Sequence, residues 1–165
     1  MMKSIATFIV LMACFSSSES FSKEKEKPPF GVVFGQKYDV SEHKTVRRRS
    51  NVRSVKLKTE DRPDDTEDLQ AEICDEYGLQ IITWRSHIRS LSAATARHRE
   101  LAVDLTQLYG KPKFRRGSSF WEAKGFIVVA KIRGKDKIFQ NQIRYFGPKN
   151  EPCFDKLMKE QQKAQ

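Results

Sequence analysis

The chain is poor in the residues that build reactive sites, and each scarcity closes off a class of chemistry. Its three histidines, His43, His87 and His98, include no i, i+4 pair, so the helical two-histidine metal signature is missing. Its three cysteines, Cys14, Cys74 and Cys153, lie far apart with no Cys-x-x-Cys, which argues against structural zinc and thioredoxin-type redox chemistry. There is no Gly-x-Ser-x-Gly, no phosphate-cradling glycine loop and no dinucleotide fingerprint. The carboxylates do not follow the calcium-loop spacing. These gaps predict a protein with no catalytic residues, no metal and no cofactor.

Long apolar runs are equally scarce. The only one, Ile5 to Phe15, is about eleven residues, against the roughly 20 needed to span a bilayer. One positive charge, Lys3, precedes it and small residues follow, which is the layout of a secretory signal; the alternative is a buried strand or short helix. Two cleavage points fit. Ser18-Glu19-Ser20 sets a signal over residues 1–20 and a mature start at Phe21, whereas Leu11-Met12-Ala13-Cys14 resembles a lipobox with Cys14 as the lipidated residue. Residues 21–29 alternate charge and end in two prolines, the composition of a solvated linker. The expectation is an exported protein, periplasmic or secreted, or anchored through Cys14, with no transmembrane span after cleavage. Export leaves two cysteines, and an oxidising compartment favours a Cys74–Cys153 disulfide over two buried thiols.

What the chain has in excess is positive charge. Its 165 residues carry 31 Lys and Arg against 21 Asp and Glu, a net charge of +10. Loss of residues 1–20 removes one base, Lys3, and one acid, Glu19, and leaves that balance intact. The acids are concentrated: between Glu60 and Glu76 nine stand against one base, Arg62. The remainder is therefore strongly basic and suited to polyanions such as nucleic acid, anionic lipid or acidic glycan. The alternative is charge that serves solubility and contacts within the chain.

Residues 30–165 read as one domain of ordinary size. Phe30 to Phe34, bounded by glycines, predicts a short strand, and Val40 to Val46 a second. Asn51 to Lys58 predicts a half-buried strand with Val55 and Leu57 inward. Asp64 to Gly78 predicts a helix, with Leu69, Ile73 and Tyr77 at four-residue spacing and acids in its first turn. Leu79 to Ile88 follows as a strand. The clearest element is a helix from about Leu91 to Tyr109, with Leu91, Ala94, His98, Leu101, Leu105 and Leu108 on one stripe. Ser90 or Ser92 caps its start, and Gly110 and Pro112 end it. Three strands follow, with a tight turn at Arg133 to Asp136 between the last two, and then a short terminal helix directing Phe154, Leu157 and Met158 inward. The fold class is α+β: a mainly antiparallel sheet with one long helix packed on it and a short C-terminal helix.

Two basic clusters are the candidate polyanion sites. One carries Arg47, Arg48, Arg49 and Arg53; the other carries Lys111, Lys113, Arg115 and Arg116, interleaved with Phe114, Phe120 and Trp121. Cations in an exposed stretch suit phosphate, and aromatic faces suit unpaired bases. The alternative for the second is a charged loop whose aromatics turn into the core. His98, on the edge of the helix stripe, reads as a boundary residue.

The phrases "PFGVVFG", "LAVDLTQLYGKP" and "FW" followed by alternating strands resemble a loose group of small exported bacterial proteins. The resemblance covers about half the chain and implies a periplasmic or surface-bound α+β domain without catalytic residues. The acidic segment departs from that pattern, and so does the lack of a cysteine near the start of the long helix, which leaves a shared disulfide arrangement open. The combined expectation is an exported, non-enzymatic, effector-like protein that binds an unknown protein or anionic component of an envelope or host through its basic surface. The alternative is a nucleic-acid- or polyanion-binding module using residues 111–121.

Overall fold

The computed structural model describes residues 29–39, 45–49, 51–135 and 137–163. The signal, Cys14, most of the linker and part of the strand expected at Val40 to Val46 lie outside the described residues.

Eight strands form one antiparallel sheet: β1 (Thr45–Arg49), β2 (Val52–Lys56), β3 (Thr66–Cys74), β4 (Gly78–Ser86), β5 (Lys113–Arg115), β6 (Ser118–Ala123), β7 (Phe126–Lys135) and β8 (Ile138–Phe146). Their order across the sheet is β1-β2-β3-β4-β8-β7-β6-β5. The helix α1 (Leu91–Tyr109) links β4 to β5 and packs on β6, β7 and β8. The helix α2 (Asn150–Lys163) follows β8. The α+β architecture is as the sequence predicts.

The segment from Asp64 to Gly78 is not a helix. It is β3, closed onto β4 by a hairpin that ends at Gly78. A spacing of four is shared by the helical and the extended repeat, and Ala71 decides between them. Leu69, Ala71 and Ile73 are all buried, whereas Gln70 and Glu72 between them are half-exposed, which is a two-residue alternation. Pairing with strands on both sides then outweighs the helical preference of the acids. Gly78 has φ 66, and a side chain there would strike the carbonyl of Gln36.

The run Phe30 to Phe34 is likewise not a strand. Pro29–Gly31 forms a helical turn, and Gly31 and Gly35 have φ 67 and 81, which extended chain does not allow. The aromatics still go inward. Phe30 meets Tyr145 edge-on at 5.8 Å, and Phe34 lies 5.6 Å from Phe126. The turn expected at 133–136 moves outward: Arg133 and Gly134 belong to β7, opposite Gln140 and Phe139, and the pairing continues to Lys135 opposite Ile138, while residue 136 lies outside the described residues. Gly134 is needed within the strand because the Phe139 ring occupies the space where a Cβ would stand.

One face of the sheet carries the main core. Val55, Leu69, Ala71, Ile82, Trp84, Trp121, Val128, Ala130 and Ile143 join Leu101 and Leu105 of α1. Ser90 caps α1 by accepting from the Ala93 N–H at 3.3 Å, and the Gly110 N–H closes its end on the Thr106 carbonyl at 2.9 Å. The stripe overshoots the sheet at both ends, leaving Leu91 and Leu108 exposed, while Ala94, Leu101 and Leu105 are buried. At the middle of this face Asn141 is fully buried. Its Nδ2 donates to the Ala94 carbonyl at 3.0 Å, so its Oδ1 is left to accept from His98 Nδ1 at 3.2 Å. His98 therefore ties helix to sheet.

The second core lies on the opposite face. Val52 stands opposite Cys74, and both meet Cys153 and Leu157 of α2. Cys74 and Cys153 are at disulfide distance with Cα atoms 6.1 Å apart, within the geometry such a bond needs. Phe154 packs partly against this cluster, while the Met158 side chain lies outside the described residues. A 79-residue separation makes the bond a substantial restraint on the unfolded chain. Reduction should lower stability by about 2–5 kcal/mol in chemical denaturation. Cys153→Ala should cost as much, and adding Cys74→Ala should cost little more, because both variants break the same bond.

Asp65 joins the β2–β3 loop to α1. Its Oδ2 accepts from Arg97 Nε and from Arg89, both at 3.0 Å, and its Oδ1 accepts from Arg97 at 3.1 Å. Burial pushes its pKa up, but the hydrogen bonds and charge of Arg97, then those of Arg89, outweigh burial and hold the carboxyl below its usual range. A lowered folded pKa stabilises the fold above the unfolded value and ceases to do so as pH falls through the folded one. Asp65→Asn should therefore cost about 2 kcal/mol at neutral pH, read from urea midpoints. The gap from the parent should start to narrow below about pH 4, where the unfolded carboxyl protonates, and close only as pH falls through the lowered folded value.

Candidate anion-binding face

The two basic clusters identified in the sequence are not neighbours. Arg47, Arg48 and Arg49 are exposed on β1, one edge of the sheet, while Lys113 and Arg115 are exposed on β5, the other edge. Seven inter-strand steps separate them, about 34 Å at the usual strand spacing. The second cluster is not a loop either. Residues 113–120 form a hairpin, with Arg115 opposite Ser118 and a two-residue turn of Arg116 at φ 49 and Gly117 at φ 72. Lys111 is exposed just before it.

The register shows what connects the two edges. Paired residues share a face, so rows can be followed across the sheet on the side away from α1. One row runs Lys56, Gln70, Thr83, Arg144, Val129, Phe120 and Lys113. The adjoining row holds Asp68, Arg85, Gln142 and Lys131, and beyond it lies Arg133 beside Gln140. On the other side, Arg47, Ser54, Glu72, Ile81, Phe146, Ile127 and Glu122 form a row. With Arg115 at the edge, these rows hold eight cations against the carboxylates of Asp68, Glu72 and Glu122.

Each carboxylate is already engaged. Asp68 pairs with Arg85, Glu72 lies 3.6 Å from Arg144, and Glu122 lies 2.6 Å from Lys113. Among the described residues Arg47, Lys56, Arg115, Lys131 and Arg133 make no ion pair, and they run from one edge strand to the other. Arg144 lies at the centre, its guanidinium 4.7 Å from the Phe146 ring. Its pKa is lowered, first by burial, with the charges of Arg85 and Arg133 adding and that of Glu72 opposing. An anion placed here would relieve that crowding of positive charge.

The other expected site residues fall elsewhere. Arg48 and Arg53 face the α1 side, and Arg53 is held by Asp75 at 3.1 Å; Arg49, in register with Val52, shares the open face but at its α2 end, outside these rows. Trp121 offers no surface for stacking, since it is fully buried and its Nε1 donates to Thr106 Oγ1 at 3.3 Å. Its phase explains this: in β6 it shares a face with Ser119 and points at α1, while Phe120 points outward. The exposed aromatic of the cluster is Phe114, 79% exposed between Lys113 and Arg115. Sequence reasoning missed Lys56, Arg85, Lys131, Arg133 and Arg144. The available signal was their alternation with Val128, Ala130, Ile143 and Tyr145, which makes β7 and β8 apolar on one side and cationic on the other.

Among the described residues no three His, Cys, Asp or Glu side chains are grouped to hold a metal ion, and no helix is long and apolar enough to cross a membrane. Comparison with protein-family models, curated proteins and solved structures finds no match to this chain. Trp121→Ala should cost about 3–5 kcal/mol in stability, whereas Phe114→Ala should leave the urea midpoint unchanged. The pair of measurements separates the core aromatic from the free one.

Proposed function

We propose that the protein is an exported, non-enzymatic binder that docks an anionic component of an envelope or host surface on the open face of its sheet. The observation that carries this reading is the set of five cations without ion-pair partners among the described residues, spread over about 34 Å from edge to edge. Such spacing matches a repeating anion, a glycan or a field of lipid headgroups, better than a single small one. The outward aromatics are few and Phe146 is already covered by Arg144, so the central face is built for charge rather than base stacking. Export rests on the Ile5 to Phe15 run and on a disulfide that an oxidising compartment would preserve. A second reading, nucleic-acid binding by the 113–120 hairpin, is favoured by the exposed ring of Phe114 on one side of an edge strand that carries Lys113 and Arg115 on the other.

Titration of heparin, duplex DNA and phosphatidylglycerol vesicles at several salt concentrations tests both. On the first reading heparin or vesicles bind with a steep salt dependence, and Lys131→Gln with Arg133→Gln lowers affinity about tenfold and flattens the slope. Phe114→Ala should then have no effect. Tight DNA binding that depends on Phe114 but not on Lys131 or Arg133 supports the hairpin instead. Weak, salt-independent binding to all three overturns both.

A further inference from the structure

The other side of the sheet has a feature of opposite character. Between α1 and the loops at 29–31 and 60–63 lies an open cavity of about 890 Å³. Its base is apolar and aromatic, formed by Trp84 and Tyr145 of the sheet, Leu105 of α1 and Phe30 of the first turn. Its rim is acidic. Glu60 and Asp61 come from the β2–β3 loop and Asp104 from α1, against the single guanidinium of Arg62. All four are exposed, and none makes an ion pair among the described residues. In a chain of net charge +10 this concentration of carboxylates around an apolar hollow runs against the general balance.

Tyr145 adds an independent observation. It is 6% exposed and lines the cavity, and its hydroxyl makes no hydrogen bond among the described residues. The hydroxyl oxygen is not one of the enclosed polar atoms that lack a partner, so it opens onto the hollow and is free to bond a ligand there. Burial accordingly raises its pKa above the usual phenol value, so it stays protonated and able to donate.

We infer that this cavity is a binding site for a small amphipathic cation, an alkyl or aryl amine whose apolar body lies on Trp84, Leu105 and Phe30 while its ammonium group meets Asp61 and Asp104. Its volume is ordinary for a small-molecule site, as is an apolar lining with a few polar groups. Charge decides the class of ligand. An anionic head would meet three carboxylates, a neutral one would leave them unused, and a cation is the complement of the rim. This site is separate from the basic face and does not depend on it.

Octylammonium, octanol and octanoate share one apolar body and differ in the charge of the head. Calorimetric titration of the full chain with each, below its aggregation concentration and at low salt, should rank octylammonium first and octanoate last. The difference between those two should be about tenfold or more. Asp61→Asn with Asp104→Asn should bring octylammonium down to the level of octanol and leave octanol unchanged. Both positions are exposed, and an unaltered melting temperature confirms that the variant is folded. A second variant, Lys131→Gln on the opposite face, should change the binding of none of the three compounds. Equal binding of all three compounds overturns the inference, and so does an octylammonium affinity that survives the double substitution. Absence of binding together with concentration-dependent self-association in sedimentation would also overturn it, assigning the hollow to a second copy of the chain.

Discussion

Gln80 is the residue on which the two faces of this protein depend. Across the β3–β4 pair Glu72 stands opposite Ile81 and Ile73 opposite Leu79, so Gln80 is one residue too many and forms a bulge. That extra residue resets the phase of β4, and Leu79 falls on the same face as Ile82 and Trp84. Without it, the first part of the strand would present its side chains to the wrong side. Gln80 is fully buried, yet it is satisfied. Its Nε2 donates to the Tyr77 carbonyl at 2.6 Å, its Oε1 accepts the Lys149 N–H at 2.9 Å, and its own carbonyl accepts the Gly147 N–H at 2.7 Å. The same side chain therefore holds the hairpin and the loop that launches α2, and so brings Cys153 within bonding distance of Cys74.

From that arrangement the division of labour follows. Among the described residues one helix covers one face of an eight-stranded sheet, and α2 covers only the end of the other. The rest of the second face must be compatible with water, which explains why its rows carry arginine, lysine, threonine and glutamine. Thr83 and Gln142 are only 4% and 3% exposed, and each stands opposite an arginine, Arg144 and Arg85 respectively. A charged open face is thus a consequence of having too few helices, and the positive sign is the particular choice of this sequence.

The legible parts of the chain were those with one periodicity. In α1 the spacing of Ala94, Leu101 and Leu105 matches only a helix, and Ser90 and Gly110 mark both ends. In β7 the alternation of Phe126, Val128 and Ala130 matches only a strand. The segment holding Leu69 and Ile73 was misread because a four-residue interval belongs to both patterns and acids imitate a helix start. The disulfide followed from arithmetic on two cysteines, whereas the candidate site was legible only in part. The runs at 47–49 and 113–116 are local and visible, but the cations joining them are distant in sequence. They are brought together by register, which depends on bulges such as the one at Gln80 that no local pattern announces. Trp121 went astray for a related reason: in Ser-Ser-Phe-Trp adjacent aromatics point to opposite sides, and only the partner strand shows which side is dry.

Among the described residues the sheet does not close on itself, and β1 and β5 each present a row of backbone donors and acceptors with no further strand beside it. Such rows invite another strand, and an open sheet with two of them is prone to growing into fibres. Here both are cationic strands, Arg47-Arg48-Arg49 at one side and Lys113 and Arg115 flanking Phe114 at the other, so two copies approaching edge to edge repel before they can pair. The margin is electrostatic and therefore conditional. A long anionic chain lying across both edges would cancel the repulsion while gathering several copies along its length, and would give those copies an incentive to polymerise.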